Sequence, residues 1–87
     1  MEEKIIIKDP IAGLSTEIDK QEFALSLKTW RLRQALTQRQ VAKMFGTSRY
    51  TILRAENAQP ITWEMAYRLF VKLSKELVKE RAAQDNG

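Results

Sequence analysis

The chain of 87 residues contains no cysteine and no histidine. Their absence excludes disulfide bonds, thiolate and imidazole chemistry, and the usual zinc ligands. No convergent set of carboxylate, lysine, tyrosine or serine side chains replaces them, so we expect neither an enzyme nor a metal or cofactor site. A protein without cysteine also suits a reducing compartment, and we expect it to be cytoplasmic.

Long apolar runs are also missing from the sequence. No stretch approaches the roughly 20 apolar residues that a membrane helix needs, so we expect no membrane association. The segment from Met1 to Pro10 begins with acidic residues and holds only three consecutive isoleucines, so we do not expect a signal peptide. The length and the 44% hydrophobic content predict one small globular domain.

Basic residues are concentrated in the middle of the chain. Residues 1–26 carry three lysines against six acidic residues, whereas residues 27–59 carry seven basic residues against Glu56 alone. The last 28 residues, 60–87, are close to neutral, with five basic and four acidic residues. A positive field confined to one region favours polyanions such as nucleic acid, although a solvated basic surface without a ligand has the same composition.

The N-terminal segment is predicted to contain one strand. Lys4 to Lys8 is a β-branched run closed by a turn signal at Asp9-Pro10. With no second convincing strand, its partner would be the same strand of another copy; otherwise the segment is a mobile arm or lies along the domain. We therefore assign residues 1–18 to an N-terminal arm or strand.

Residues 19–82 are predicted to be all-α, a compact bundle of four to five helices. Asp19 has capping-box spacing to Glu22 and begins a first helix that runs to about Ala35. Pro60 interrupts the chain before a last helix, capped by Thr62. Residues 83–87 are expected to fray. Helical periodicity assigns the aromatic side chains to the core or to a dimer contact: Trp30, Trp63, Tyr67 and Phe70.

Two short helices joined by a glycine turn are predicted in the basic region. Thr37 caps a helix from Gln38 to Phe45, and Gly46 ends it because glycine accepts positive φ. A third helix then runs to about Asn57. Its candidate caps are Thr47 and Ser48. Small or apolar residues stand where the two helices must cross and pack: Val41, Ala42, Phe45, Ile52 and Ala55. This is the outline of a helix-turn-helix.

The stretch from Leu36 to Asn57 resembles the Cro/cI-type, or xenobiotic-response-element-like, helix-turn-helix family of phage repressors and bacterial regulators. The motifs that carry the resemblance are Leu36-Thr37-Gln38, Phe45-Gly46-Thr47-Ser48, Ile52 and Glu56-Asn57, and it extends over about Leu27 to Leu73. It implies a lambda-repressor-like bundle of about five helices that binds double-stranded operator DNA, usually as a dimer. Ala58 departs from the glycine usual in the family, which predicts an altered exit from the third helix.

The third helix would read DNA with one side. At 100° per residue, one arc holds Arg49, Tyr50, Leu53, Arg54 and Asn57. Arg49 and Arg54 can grip guanine or bind phosphate, and Leu53 can touch a thymine methyl group. Tyr50 can contact a sugar or a phosphate. Without a role in DNA binding, Tyr50 would be a surface residue and Leu53 a residue at the edge of the core.

Other residues are expected to hold the DNA backbone. The resemblance implies phosphate contacts for Gln38, at the start of the second helix, and Asn57, at the end of the third; the alternatives are a surface residue for Gln38 and a helix C-cap for Asn57. Ser48, Arg39 and Lys43 are further candidates, although each can also be a cap or a solvated charge. The resemblance also implies a structural ion pair between Arg31 and Glu56.

We therefore expect a sequence-specific DNA-binding regulator of transcription, most simply a repressor. Two alternatives share the fold. One is the antitoxin of a toxin–antitoxin pair, with a toxin protein held by the N-terminal arm or the last helix. The other is a protein-interaction adaptor that no longer reads DNA, against which the basic arc argues.

Overall fold

The computed structural model describes the backbone of residues 4–8 and 15–85 and the side chains of residues 19–84. Two strands, β1 (Lys4–Lys8) and β2 (Ser15–Asp19), come before the helices. The helices are α1 (Lys20–Arg33), α2 (Gln38–Phe45), α3 (Arg49–Glu56) and α4 (Trp63–Asp85). The described part of the chain is thus a small, compact helical bundle preceded by a hairpin, and the predicted helical class is confirmed.

The strand β1 pairs within its own chain. It lies antiparallel to β2, with Lys4 opposite Asp19 and Lys8 opposite Ser15, and it packs along α4. The expectation that β1 lacks a partner in the chain was therefore wrong. Ser15–Asp19 is a short and mostly polar segment, so its composition gives little strand signal, and the pairing itself defines the strand. The predicted turn at Asp9-Pro10 lies outside the described residues.

Each helix begins at a side chain that satisfies backbone N–H groups left open by helix geometry. In α2 the arrangement is a full capping box, in which Gln40 N donates to Thr37 Oγ1 (3.1 Å) and Thr37 N donates to Gln40 Oε1 (2.8 Å). The four capping side chains are those of Asp19, Thr37, Ser48 and Thr62. Of the two candidate caps of the third helix, the structure selects Ser48.

The first three helices end in the same way, with one residue at positive φ followed by an amide that returns to a carbonyl five residues back. The residues at positive φ are Ala35 (56°), Gly46 (70°) and Ala58 (56°). At the end of α3, Gln59 N donates to Arg54 O at 2.8 Å. Alanine at position 58 therefore does not alter the exit as expected, because the closing hydrogen bonds hold it in the left-handed conformation.

The core lies between α1, α2, α3 and the first half of α4. Trp30 and Phe45 stack across it, with ring centroids 5.6 Å apart. Its fully buried large side chains are Leu27, Trp30, Val41, Ile52 and Leu69. The α4 face that enters the core is formed by Ala66, Leu69 and Leu73.

Periodicity assigned Trp63, Tyr67 and Phe70 of α4 to the core or to a dimer contact, and the assignment to the core was wrong for Trp63. Its side chain is 48% exposed and does not belong to the core cluster, whereas Leu69, which the aromatic pattern did not include, is fully buried. Tyr67 and Phe70 are half-buried at the edge. The apolar stripe of α4 is wide, so only packing against α1 and α2 decides which part is buried.

The helix α4 also runs further than predicted. It continues through Asp85, so residues 83–85 of the expected frayed tail are helical, and residues 86–87 lie outside the described part. Within the described ranges, no helix combines the length and the apolar character that crossing a bilayer requires.

Candidate functional site

One side of α3 is a part of the basic region that packing leaves open. Ile52 is completely buried and Ala55 is 4% exposed, so one side of α3 is fixed against α1 and α2. The side chains on the opposite side, called the outer face from here on, are those of Arg49, Tyr50, Leu53, Arg54 and Asn57. An eight-residue helix clamped along one side thus presents a mixed cationic and aromatic surface.

Exposure differs along the outer face. Arg49 and Asn57 are exposed, and Tyr50 is 61% exposed. Leu53 and Arg54 are half-buried. Arg49 forms no hydrogen bond or ion pair within the described part of the chain, so its guanidinium is available to a ligand.

Arg54 is held more closely than Arg49. Its Cζ atom lies 5.4 Å from the centre of the Tyr50 ring, within the range of a cation–π contact. Its Nη1 atom is 3.4 Å from Tyr50 Oη, which is long for a hydrogen bond. The Nε atom is buried and has no hydrogen-bond partner among the described residues.

The ion pair implied for Arg31 and Glu56 is present and ties α1 to the end of α3. Arg31 Nε donates to Glu56 Oε2 at 2.6 Å, and Arg31 Nη2 donates to Glu56 Oε1 at 3.0 Å. Arg31 Nη1 also donates to the carbonyl of Leu36, 2.9 Å away. The Glu56 side chain is only 3% exposed, so these charges stabilise each other inside the fold rather than contact a ligand.

Gln38 belongs to this network. Its Nε2 atom donates to Glu56 Oε1 at 3.2 Å, so α1, α2 and α3 meet at one carboxylate. An amide nitrogen carries two hydrogens, and a second donor therefore remains for a phosphate. Gln38, Arg39 and Arg49 line one open cleft beside the start of α2. This cleft brings candidate backbone contacts from α2 next to the first residue of α3.

Two other candidate phosphate contacts already close helix ends. Ser48 Oγ accepts from Thr51 N (3.2 Å) and lies 3.0 Å from Thr51 Oγ1. Asn57 Nδ2 donates to Leu53 O at 2.8 Å. Their capping roles alone therefore explain why serine and asparagine stand at these two positions, without a contact to a ligand. Lys43 is exposed on α2, and no ion pair engages it in the described part of the chain.

Sequence reasoning did not identify a polar clamp between the end of α1 and α4. Arg33 Nη2 donates to Glu80 Oε1 at 2.7 Å, Arg33 Nε donates to Glu80 Oε2 at 3.2 Å, and Gln34 Nε2 donates to Glu80 Oε2 at 2.7 Å. The hydrogen bond from Arg33 lowers the pKa of the Glu80 carboxyl, and the same contact raises the pKa of Arg33. The partners are 46 and 47 residues apart, beyond any local sequence signal.

The Tyr50–Arg54 contact was also missed, although its spacing of four residues on a helix was a signal that could have revealed it. Across the described side chains, no cluster of three or more acidic residues is positioned to hold a metal ion. Comparison of the chain with protein-family models and with curated proteins found no match.

Proposed function

We propose that the chain is a cytoplasmic transcriptional regulator, most simply a repressor, that binds double-stranded DNA sequence-specifically. In this proposal α2 and α3 form a helix-turn-helix, and α3 enters the major groove. The observation that carries the proposal is the division of α3 into a buried side, Ile52 and Ala55, and an outer face that displays Arg49, Tyr50 and Arg54.

Dimensions support this docking mode. An α-helix with its side chains is about 10–12 Å in diameter, and the major groove of B-DNA is about 12 Å wide, so α3 fits within it. The turn at Gly46 joins α2 to α3, and the hydrogen bonds of Glu56 to Gln38 and Arg31 hold α3 against α2 and α1. A rigid scaffold of this kind lowers the entropy lost when side chains engage bases.

Specific contacts with DNA can then be assigned to six residues of α2 and α3. Arg49 and Arg54 are assigned to guanine, whose N7 and O6 atoms accept two hydrogen bonds from one guanidinium, and Leu53 to a thymine methyl group. The free donor of Gln38, together with Arg39 and Lys43, is assigned to phosphates, which position a protein on DNA without specifying sequence. We include a homodimer in the proposal because a single eight-residue helix reads only a short half-site.

The test is selection of bound sites from random double-stranded DNA, followed by affinity measurements on the selected site at several salt concentrations. We expect log affinity to fall linearly with log salt, by ~0.9 for each phosphate neutralised. Arg49→Ala and Arg54→Ala, each checked for folding by circular dichroism, should relax base preference at a defined position. Salt-independent binding, or unchanged preference in both variants, would contradict the proposal.

A further inference from the structure

The two arginines of the outer face differ in how closely neighbouring residues hold them. Arg49 is exposed and has no partner within the described residues, whereas Arg54 is half-buried against the aromatic ring one helical turn before it. A flexible guanidinium loses rotamer entropy when it is fixed on a ligand, and one that is already held loses less. The structure therefore gives Arg54 a lower ordering cost than Arg49.

The ring of Tyr50 carries this effect, rather than its hydroxyl group. The distance of 5.4 Å from Arg54 Cζ to the ring centre falls within the range in which a cation is attracted by an aromatic face. The Oη–Nη1 distance of 3.4 Å lies outside the usual range of N–H···O hydrogen bonds. Phenylalanine should therefore replace tyrosine in this role, and an aliphatic residue should not.

The orientation of Arg54 restricts which edge of the guanidinium can meet a ligand. Nε is shielded from solvent, so the edge formed by Nε and one terminal nitrogen is not accessible as a pair of donors. Tyr50 and Arg54 line a shallow cleft together with the segment Pro60–Thr62, which packs beside them. The remaining two-donor edge is formed by Nη1 and Nη2, and it matches two acceptors side by side, as on guanine.

We propose that Tyr50 is a positioning residue that orients Arg54, so that Arg54 reads guanine with its two terminal nitrogens. This inference rests on the proposed DNA binding and adds a determinant of specificity to it. Loss of the ring should free the side chain and weaken discrimination for G·C at the one position that Arg54 reads. It should leave the preference at the position read by Arg49 intact.

The experiment compares Tyr50→Leu, Tyr50→Phe, Arg54→Ala and the double variant Tyr50→Leu/Arg54→Ala on the selected site and its single-base variants. Tyr50→Leu should reduce the preference for G·C by about two- to fivefold, the range expected for an exposed cation–π contact, and Tyr50→Phe should restore it. The double variant should retain the same preference for G·C as Arg54→Ala alone. An unchanged preference in Tyr50→Leu would overturn the inference. So would a loss of preference from Tyr50→Leu that is as large in the Arg54→Ala background as in the wild type, because it would indicate that Tyr50 contacts the DNA directly.

A second readout uses the protein without DNA. The Arg54 δ protons should show an upfield ring-current shift in the NMR spectra of the wild type and of Tyr50→Phe, and this shift should disappear in Tyr50→Leu. Its absence from the wild type would overturn the inference while leaving DNA binding intact. A wild-type protein that shows the shift but binds no DNA would instead refute the proposed function, and the assigned role of Tyr50 with it.

Discussion

Arg31 and Glu56, 25 residues apart in the sequence, are joined by two hydrogen bonds of 2.6 and 3.0 Å between α1 and the last residue of α3. Gln38 adds a third bond to the same carboxylate. Three helices are therefore fixed to each other through one side chain that is almost completely buried. The geometry of the outer face depends on this contact.

Removal of one partner should destabilise the protein strongly. Arg31→Ala leaves the buried Glu56 carboxylate without its counter-ion, and we expect a loss of about 3–5 kcal/mol in the free energy of unfolding. Urea denaturation followed by circular dichroism measures this quantity. The double variant Arg31→Met/Glu56→Leu removes both charges and should lose less than Arg31→Ala. An equal or greater loss in the double variant would argue against an unpaired charge as the cause.

Replacement of Ala58 by glycine should stabilise the fold. Ala58 holds a φ of 56°, which costs a residue with a Cβ atom energy that glycine does not lose. After the greater backbone entropy of glycine in the unfolded chain is subtracted, we expect a gain of about 0.5–1 kcal/mol. Thermal unfolding measures the effect. Ala83→Gly is the control, because it places glycine within the helix α4, where it should lower the stability of the protein. A loss of stability in Ala58→Gly would refute this interpretation of the turn.

Substitutions at Ser48 separate its capping role from its predicted contact with phosphate. Ser48→Ala should lower stability by ~1 kcal/mol, because the N–H of Thr51 loses its acceptor. Ser48→Asp keeps a good cap but adds a negative charge. It should retain stability and weaken DNA binding. If Ser48→Asp binds DNA as tightly as the wild type, Ser48 does not lie near a phosphate.

Lys43 tests the contacts that do not specify sequence. Lys43→Ala should weaken binding to all sequences by a similar factor and reduce the slope of log affinity against log salt by ~0.9, the share of one phosphate. Fluorescence anisotropy on selected and scrambled DNA gives both values. Lys75→Ala is the matched control. Lys75 is also an exposed lysine, but it belongs to α4 and lies about 18 Å along that helix from its first residue, Trp63. A change in base preference would instead place Lys43 at a base.

The contacts of Glu80 with Arg33 and Gln34 should make part of the stability of the protein depend on pH in the acid range. The hydrogen bonds from Arg33 and then Gln34 hold the pKa of Glu80 below its ordinary value of 4.5. Its contribution to stability is therefore complete above that value and is lost as the pH falls through the lower, folded-state pKa. The stability difference between wild type and Glu80→Gln should be largest near neutral pH and should vanish in acid. A stability difference that does not change with pH would contradict the assignment.

Local signals in the sequence located the starts of the helices, although they left Thr47 and Ser48 as alternative caps of α3. Asp19, Thr37, Ser48 and Thr62 begin helices because a short polar side chain can reach the open N–H groups two or three residues later. Ile52 and Ala55 were identified as the buried side of α3 by helical period alone. The candidate site could therefore be predicted as a set of residues, since it lies on one short helix.

Long-range contacts could not be predicted from the residues themselves. Three findings depend on which elements meet in space. They are the pairing of Ser15–Asp19 with β1, the contact of Arg33 with Glu80, and the burial of Leu69 while Trp63 stays exposed. None of these contacts has a local pattern, because strands, long polar side chains and wide apolar stripes admit several partners.

The sequence by itself determined where the helices begin, which side of α3 is apolar, and that the basic charge is concentrated near it, because these properties arise within a few residues along the chain. Only the tertiary structure decided that Gln38 shares the carboxylate of Glu56 and that the Nε atom of Arg54 is buried. The physical reason is that the availability of a polar side chain depends on the partners that packing brings to it, and packing involves the whole domain.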